Sequence, residues 1–436
     1  MNTSTLLTLQ DTDEIDYSPI CLGTSWKDDS PIEWDFGRAS HPGLLILGAS
    51  GSGKTHALIR LASALKARGL GVHIVDSHGD LNIDGFDFFH FHYNSVFGIN
   101  PFDVDPHPLF GGPQATVSQV VELLSVEHTS MGPKQRALLE SLCKTLFEEH
   151  GIYYDRPETW NKKSYDMNDM VSHIENKFLS NQLGLSENSI EIMIKTCTKL
   201  NRLSNNLEDT TALLTEERES LEKQFEEASM QWTDVINSAE PKNFNDVLER
   251  LRSGFSESAL QTFLILFRKL EGKGIFTGQE PAPSSNNVVY SVRGLEYKEQ
   301  VMLVESILGK IFRYYMKNVK VEDLNQPPHT YIIIDEIKLF SAGAFKSPQH
   351  ILNRIQTEAR KAGLGLILAG QGLEHIPKDV LTNMGTTAVL PVHHLERPVV
   401  SRKLQLPAHM LDNIEPRRDG LISMGSKEFE PCKLWA

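Results

Sequence analysis

Eight residues constrain this chain more than any other feature: Gly48-Ala49-Ser50-Gly51-Ser52-Gly53-Lys54-Thr55. They follow a short run, Leu44 to Leu47, that is apolar at every position, as in a strand buried on both faces of a parallel sheet. After them Leu58, Leu61, Ala62 and Leu65 recur at helical spacing, and Gly69 is placed to stop that helix. A strand at 72–76 would complete a βαβ unit. The octet fits G-x-x-x-x-G-K-[ST] in the strand–turn–helix context that the pattern requires. Its glycines let the backbone curl so that successive amide N–H groups face phosphate oxygens, and the helix N-terminus adds its dipole. Gly48, Ala49, Ser50, Gly51, Ser52, Gly53, Lys54, Thr55 and His56 are therefore expected to cradle the phosphates of ATP. Lys54 is expected to reach the β- and γ-phosphates, and the Thr55 hydroxyl to hold Mg²⁺.

A phosphate loop of this kind needs a second carboxylate for the metal. The run 331–336, Tyr-Ile-Ile-Ile-Asp-Glu, supplies one at the end of another buried strand. Asp335 is expected to orient the Mg²⁺ shell and Glu336 to orient and polarise an attacking water. The plainer alternative is that the pair caps a following helix. Further on, a strand at 364–369 leads to Gln371, whose side chain at a strand tip can touch both a γ-phosphate and that water. Arg360 closes the helix before it, where a cation suits the dipole. It could instead cross a subunit boundary to stabilise charge on a neighbour's nucleotide, a role for which Arg397, Arg402, Arg417 and Arg418 are rivals.

The rest of the chain falls into four stretches: an extended polar lead-in over 1–42, α/β texture over 43–115, helical texture over 116–285 and α/β texture again over 286–436. In the helical stretch Leu203, Leu207, Leu214, Leu221 and Phe225 form a heptad-like stripe, as in a helical hairpin packing one face inward. The fold expected is α/β, a doubly wound and mainly parallel sheet split by a large α-helical insertion. Length alone, 436 residues, would suggest about three domains. One split core with an insert explains it better.

Together these motifs make the chain resemble the HerA/FtsK superfamily of ring-forming P-loop ATPases, with a RecA-like sheet, on the branch of HerA-type DNA translocases and conjugative type IV secretion ATPases. The resemblance rests on a series in order. It runs through GASGSGKT at 48–55, IVDSHGDL at 74–81, INPFD at 99–103, MGPKQRALLESL at 131–142, IIIDE at 332–336, TEARKAGLGLILAGQ at 357–371 and NMGTTAVL at 383–390. It implies Lys54 and Thr55 on phosphate and Mg²⁺, Asp335 on the metal, Glu336 as catalytic carboxylate, Gln371 as sensor and Arg360 as a trans-acting arginine. Asp76 and His78 lie where the family keeps polar residues, with strand-end packing an equal alternative. The small β-barrel that usually precedes HerA-type cores has no room in about 40 residues.

The activity implied is that of an ATP hydrolase of translocase or helicase type, a ring and most simply a hexamer, moving double-stranded DNA. The alternatives are a secretion ATPase with protein partners and the motor of a defence complex with a separate nuclease. The balance of 43 basic against 57 acidic residues gives a net charge of −14, which argues against a uniformly basic nucleic-acid surface. Any DNA contact is then confined to a narrow strip, for which Arg250, Arg252 and the 268–273 stretch are candidates. Four scattered cysteines without a CxxC pair speak against a zinc ribbon and for a reducing compartment. The acidic N-terminus lacks signal-peptide character and no apolar run is long enough to span a bilayer, so a cytoplasmic location is expected. His90 and His92 flank Phe91 in an expected strand and read as packing residues. His393 and His394 are expected on opposite sides of a strand, and Trp26 and Trp34 read as packing residues or as an adenine platform.

Overall fold

The computed structural model describes residues 15–39, 41–106, 111–127, 131–208, 215–241, 243, 257–277, 279–281, 286–318, 327–340, 351–373, 376, 378–425 and 427–434. The chain divides into two compact units. One comprises Met1–Pro101, His107–Gly111 and Gly274–Ala436, and the other Phe102–Pro106 and Gly112–Lys273.

The first unit opens with β1 (Ile20–Ser25), β2 (Pro31–Trp34), β3 (Leu44–Leu47), α1 (Lys54–Ala67), β4 (Gly71–Asp76) and β5 (Asp87–His92). The second unit supplies α2 (Pro113–Glu127), α3 (Pro133–Glu149), α4 (Met167–Leu183), α5 (Glu187–Glu208), α6 (Thr215–Asn237) and α7 (Glu257–Glu271). The first then resumes with β6 (Val288–Gly294), α8 (Tyr297–Asn318), β7 (Thr330–Ile334), α9 (Ile351–Glu358) and β8 (Leu364–Gly370). It closes with α10 (Lys378–Asn383), β9 (Thr386–Val389), α11 (Arg397–Leu404), α12 (Ala408–Asp412), β10 (Asp419–Met424) and β11 (Glu430–Leu434).

All eleven strands form one sheet in the order β2-β1-β11-β10-β9-β3-β8-β7-β4-β6-β5. From β9 to β5 every pairing is parallel, and from β9 to β2 every pairing is antiparallel. Residues of β3, β4, β7 and β8 are buried throughout, which is why their sequences are unbroken apolar runs rather than alternating ones. The result is a mostly parallel sheet with helices on both sides. The phosphate loop leaves β3 between β8 and β9, at the carboxyl ends of the parallel strands where such sheets bind ligands.

Two expectations change in this unit. The polar lead-in contributes two strands: β1 pairs with β11 through Gly23 and Leu434, and Ile20, Leu22, Ile32 and Trp34 alternate inward. Trp34 is 1% exposed and packs edge-on against Tyr331 with ring centroids 5.5 Å apart, so it is a core residue rather than an adenine platform. Trp26 lies exposed in the β1–β2 turn. Strand β9 ends at Val389, and Pro391 has no N–H to continue the ladder. Pro391 instead accepts from the Ala49 N–H at 2.9 Å. His393 and His394 therefore lie beyond the strand, with their rings 4.2 Å apart rather than on opposite faces.

The second unit is helical, but its return to the first comes earlier than residue 286. Ile275 and Phe276 are fully buried, and the 274–281 segment exchanges backbone bonds with 96–99, including Ile99 N–H to Ile275 O at 3.0 Å. Within the helical unit Phe102, Phe147, Tyr165 and Phe267 form an aromatic centre, with Phe102 and Tyr165 centroids 4.5 Å apart. α5 packs along α6, with Leu203 and Ala228 buried and Leu207, Leu221 and Phe225 half-buried on the shared stripe. Leu214 lies outside the described residues, as do Arg250 and Arg252. Arg268 is engaged by Glu175 at 2.7 Å. No helix among the described residues is long and apolar enough to cross a membrane.

Candidate nucleotide site

The loop 48–55 is built by close approach. A Cβ on Gly48 would stand 2.4 Å from Ser52 Oγ and 2.8 Å from Leu390 Cβ, so only glycine fits at the loop's first position. Gly51 and Gly53 adopt φ of 75° and 112°, which turns the chain sharply into α1. The loop is tied to its neighbours on both sides, with Gly48 N–H donating to Gly370 O at 3.1 Å and Ala49 N–H to Pro391 O. Lys54 Nζ donates to Gly48 O at 2.7 Å and Ala49 O at 2.9 Å. Burial lowers the Lys54 pKa, while the charges of Glu336 and Asp335 oppose that shift.

Asp335 and Glu336 follow β7 directly and are 7% and 6% exposed. Asp335 is locked to the end of β4. Its carboxylate accepts from the Ser77 N–H at 2.9 Å and the Ser77 hydroxyl at 2.8 Å, while its own N–H donates to Val75 O at 3.2 Å. Burial pushes the Asp335 carboxyl up to about 7, the Ser77 bonds pull it down, and Asp76 and Glu336 add repulsion. Asp76, 2% exposed, accepts from the backbone N–H groups of His78, Gly79 and Leu81 and so shapes the loop that carries His78. Glu336 Oε2 accepts from Gln371 Nε2 at 3.0 Å and faces His78 Nε2 at 3.9 Å. Its other oxygen accepts from the Lys338 N–H at 3.2 Å.

A cleft of about 350 Å³ is lined by the loop residues Ser50, Gly51, Gly53, Lys54 and Thr55, by His56 and Leu58 of α1, and by Asp76, His78, Asp80 and Leu81. Asp335, Gln371 and Arg417 complete its wall. A second cleft of about 410 Å³ is lined by Glu336 and Gln371 together with Ala49, Ile337, His393, Leu395 and Glu396. The donor set suits Mg²⁺: one hydroxyl, Thr55, and one buried carboxylate, Asp335, leave most of the octahedron to water and phosphate. No group of three or more His, Cys, Asp or Glu among the described residues would hold a metal alone.

The structure thus brings Lys54, Thr55, His56, Asp335 and Gln371 to one cleft, with Glu336 bonded to Gln371 at its edge. Arg360 lies in a short 3-10 turn, Ala359–Ala362, and its side chain is outside the described residues. Among its rivals, Arg397 is paired with Asp412 and Arg418 with Glu415 at 2.9 Å, whereas Arg402 is exposed on α11. Arg417 sits on the phosphate loop of its own chain, its N–H donating to Ser52 O at 3.1 Å and its Nε to Gly51 O at 3.3 Å. Ser77 lies inside the 74–81 segment, but no role was expected of it. Its only signal was its position directly after Asp76 at the tip of a strand that proves to be β7's neighbour.

Residues 20–236 match the family model described as "Helicase HerA, central domain". A Methanocaldococcus jannaschii protein described as "Probable helicase" is 30% identical over 110 residues, which cover 24% of this chain and 21% of that protein. The match thus spans about a fifth of that relative. Among solved structures, VirB4 of Thermoanaerobacter pseudethanolicus superposes with a TM-score of 0.67 at 15% identity, covering 97% of each chain. The bacterial conjugative coupling protein TrwBΔN70 gives 0.52 at 15% identity over 90% of this chain and 85% of that one. With its loop, its Asp-Glu strand and this fold, the chain belongs to the HerA/FtsK-type superfamily of P-loop ATPases.

Proposed function

We propose that this chain is an ATP-hydrolysing motor that assembles as a ring, in the simplest case a hexamer, and moves double-stranded DNA. The observation that carries the hydrolytic part is the bond from Gln371 to Glu336 beside the phosphate loop, a strand-tip amide on the member of the Asp335–Glu336 pair that Ser77 does not hold. In this reading the loop amides and Lys54 hold the β- and γ-phosphates, and Lys54 exchanges its two loop carbonyls for phosphate oxygens. Thr55 and Asp335 would hold Mg²⁺, which when bound offsets charge between those phosphates. Glu336 orients the attacking water, and Gln371 holds the Glu336 carboxylate in place until the γ-phosphate engages its amide. Arg360 of a neighbouring copy is proposed to supply charge across the subunit boundary.

DNA is proposed as the substrate on the strength of the family match and the helicase-named relative. Phosphate contacts alone suffice for a motor that ignores sequence. The test is ATP turnover with and without duplex DNA over a salt series. Stimulation that fades steeply as salt rises supports DNA; absence of DNA binding at low salt removes it. One feature favours a second reading, a secretion-type ATPase with protein partners: α6 carries seven acidic and two basic residues and exposes Met230. Turnover unresponsive to DNA would turn attention to that helix. A nuclease partner in a defence complex is a third arrangement compatible with the same site.

A further inference from the structure

We propose that Arg417 is a nucleotide-binding residue acting in cis, its guanidinium completing the phosphate cradle of the loop on its own chain. The inference rests on the reading of 48–55 as a nucleotide loop and adds to it a residue from the far end of the sequence.

Three observations converge. The turn between α12 and β10 lies directly on the loop: beyond the two hydrogen bonds to Ser52 O and Gly51 O, Arg417 Cα is 3.7 Å from where a Cβ on Gly53 would stand. Arg417 holds φ of 63°, a left-handed conformation that glycine or asparagine adopts more easily. A non-glycine residue held in that conformation points to a task for its side chain. Finally, Nε is spent on Gly51 O, and among the described residues the two terminal nitrogens have no partner, although the side chain lines the cleft with Lys54 and Thr55.

That arrangement is suited to phosphate. A guanidinium anchored by Nε keeps its remaining N–H groups in one plane, the geometry of a bidentate contact with two oxygens. Charge points the same way. Lys54 and Arg417 are the Lys and Arg side chains lining the cleft, against Asp76, Asp80 and Asp335. A nucleoside triphosphate is a polyanion, and even with Asp335 assigned to Mg²⁺, Asp76 and Asp80 leave Lys54 a second cation short without Arg417. The bond to Gly51 O also ties Arg417 to its own loop, which separates it from an arginine reaching into a neighbour.

The test uses the full chain with a fluorescent ATP analogue, displaced by ATP or by pyrophosphate, for wild type, Arg417→Gly, Arg417→Lys and Arg417→Gln. Glycine keeps the left-handed turn and removes the cation. Glutamine keeps a donor for Gly51 O without charge. The proposal expects roughly tenfold weaker binding of ATP and pyrophosphate in Arg417→Gly and Arg417→Gln, with partial recovery in Arg417→Lys. Melting temperatures, measured in parallel, are expected not to fall below the wild-type value, Arg417→Gly gaining from the relieved left-handed turn. Wild-type affinity in Arg417→Gly, or full recovery in Arg417→Gln, overturns it, since the residue is then dispensable or only a loop clamp. If the wild type binds neither ligand, the nucleotide-loop reading fails and the proposal falls with it.

Discussion

The bond between Ser77 and Asp335 illustrates how much of this site depends on single contacts. A carboxylate 7% exposed is costly to keep ionised, and the Ser77 N–H and hydroxyl are the donors that lower that cost. Ser77→Ala is expected to reduce ATP turnover roughly tenfold through a misplaced Asp335, with Ser77→Thr retaining most of it. Phosphate-release rates at saturating ATP check this, and an unchanged rate in the alanine variant refutes it. Gln371→Ala should lower kcat by a similar order with little change in KM, because Gln371 touches Glu336 rather than the loop. Loop, carboxylate pair and glutamine were legible in the sequence because each is announced by local spacing. Ser77 was not, and Arg417 was legible only as a rival for a role across a subunit boundary, since what they touch lies 258 and 366 residues away along the chain.

Among the elements, β4 carries a second buried polar group with a measurable signature. His73 is fully buried, with Nδ1 3.1 Å from the Tyr290 hydroxyl of β6 and Nε2 3.2 Å from the Tyr315 hydroxyl of α8. Burial lowers its pKa from 6.5 to about 4. Between those values the unfolded chain binds a proton that the folded chain does not. The contribution is therefore complete above 6.5 and is lost as pH falls toward 4. Its size is at most about 3 kcal/mol. Urea unfolding near pH 7 and near pH 5 should show a smaller acid loss for His73→Gln than for wild type; equal losses would contradict the assignment. Gly98 is the other element-level test. A Cβ there would stand 1.7 Å from Thr277 O, so Gly98→Ala should destabilise the fold by several kcal/mol, read as a lowered denaturation midpoint. Strands β3, β7 and β8 were legible because burial on both faces leaves an apolar run. β1 and β2 were hidden because strands with one polar face resemble loop composition, and only their two-residue alternation marks them.

For the whole molecule, the net charge of −14 argues only against a uniformly basic surface. The acidity is partly local, concentrated in helices such as α6, and a translocase needs only a narrow basic path. Ring assembly is the expected outcome with ATP present, and light scattering at micromolar protein should report a mass near six copies. A monomer or dimer under those conditions contradicts a ring motor. Hydrolysis at the Asp335–Glu336 strand is tested by ATP turnover of wild type and Glu336→Gln, each with its ATP affinity measured alongside. Nucleotide binding should be preserved and turnover lowered at least about a hundredfold in the variant. Turnover preserved in Glu336→Gln would contradict it.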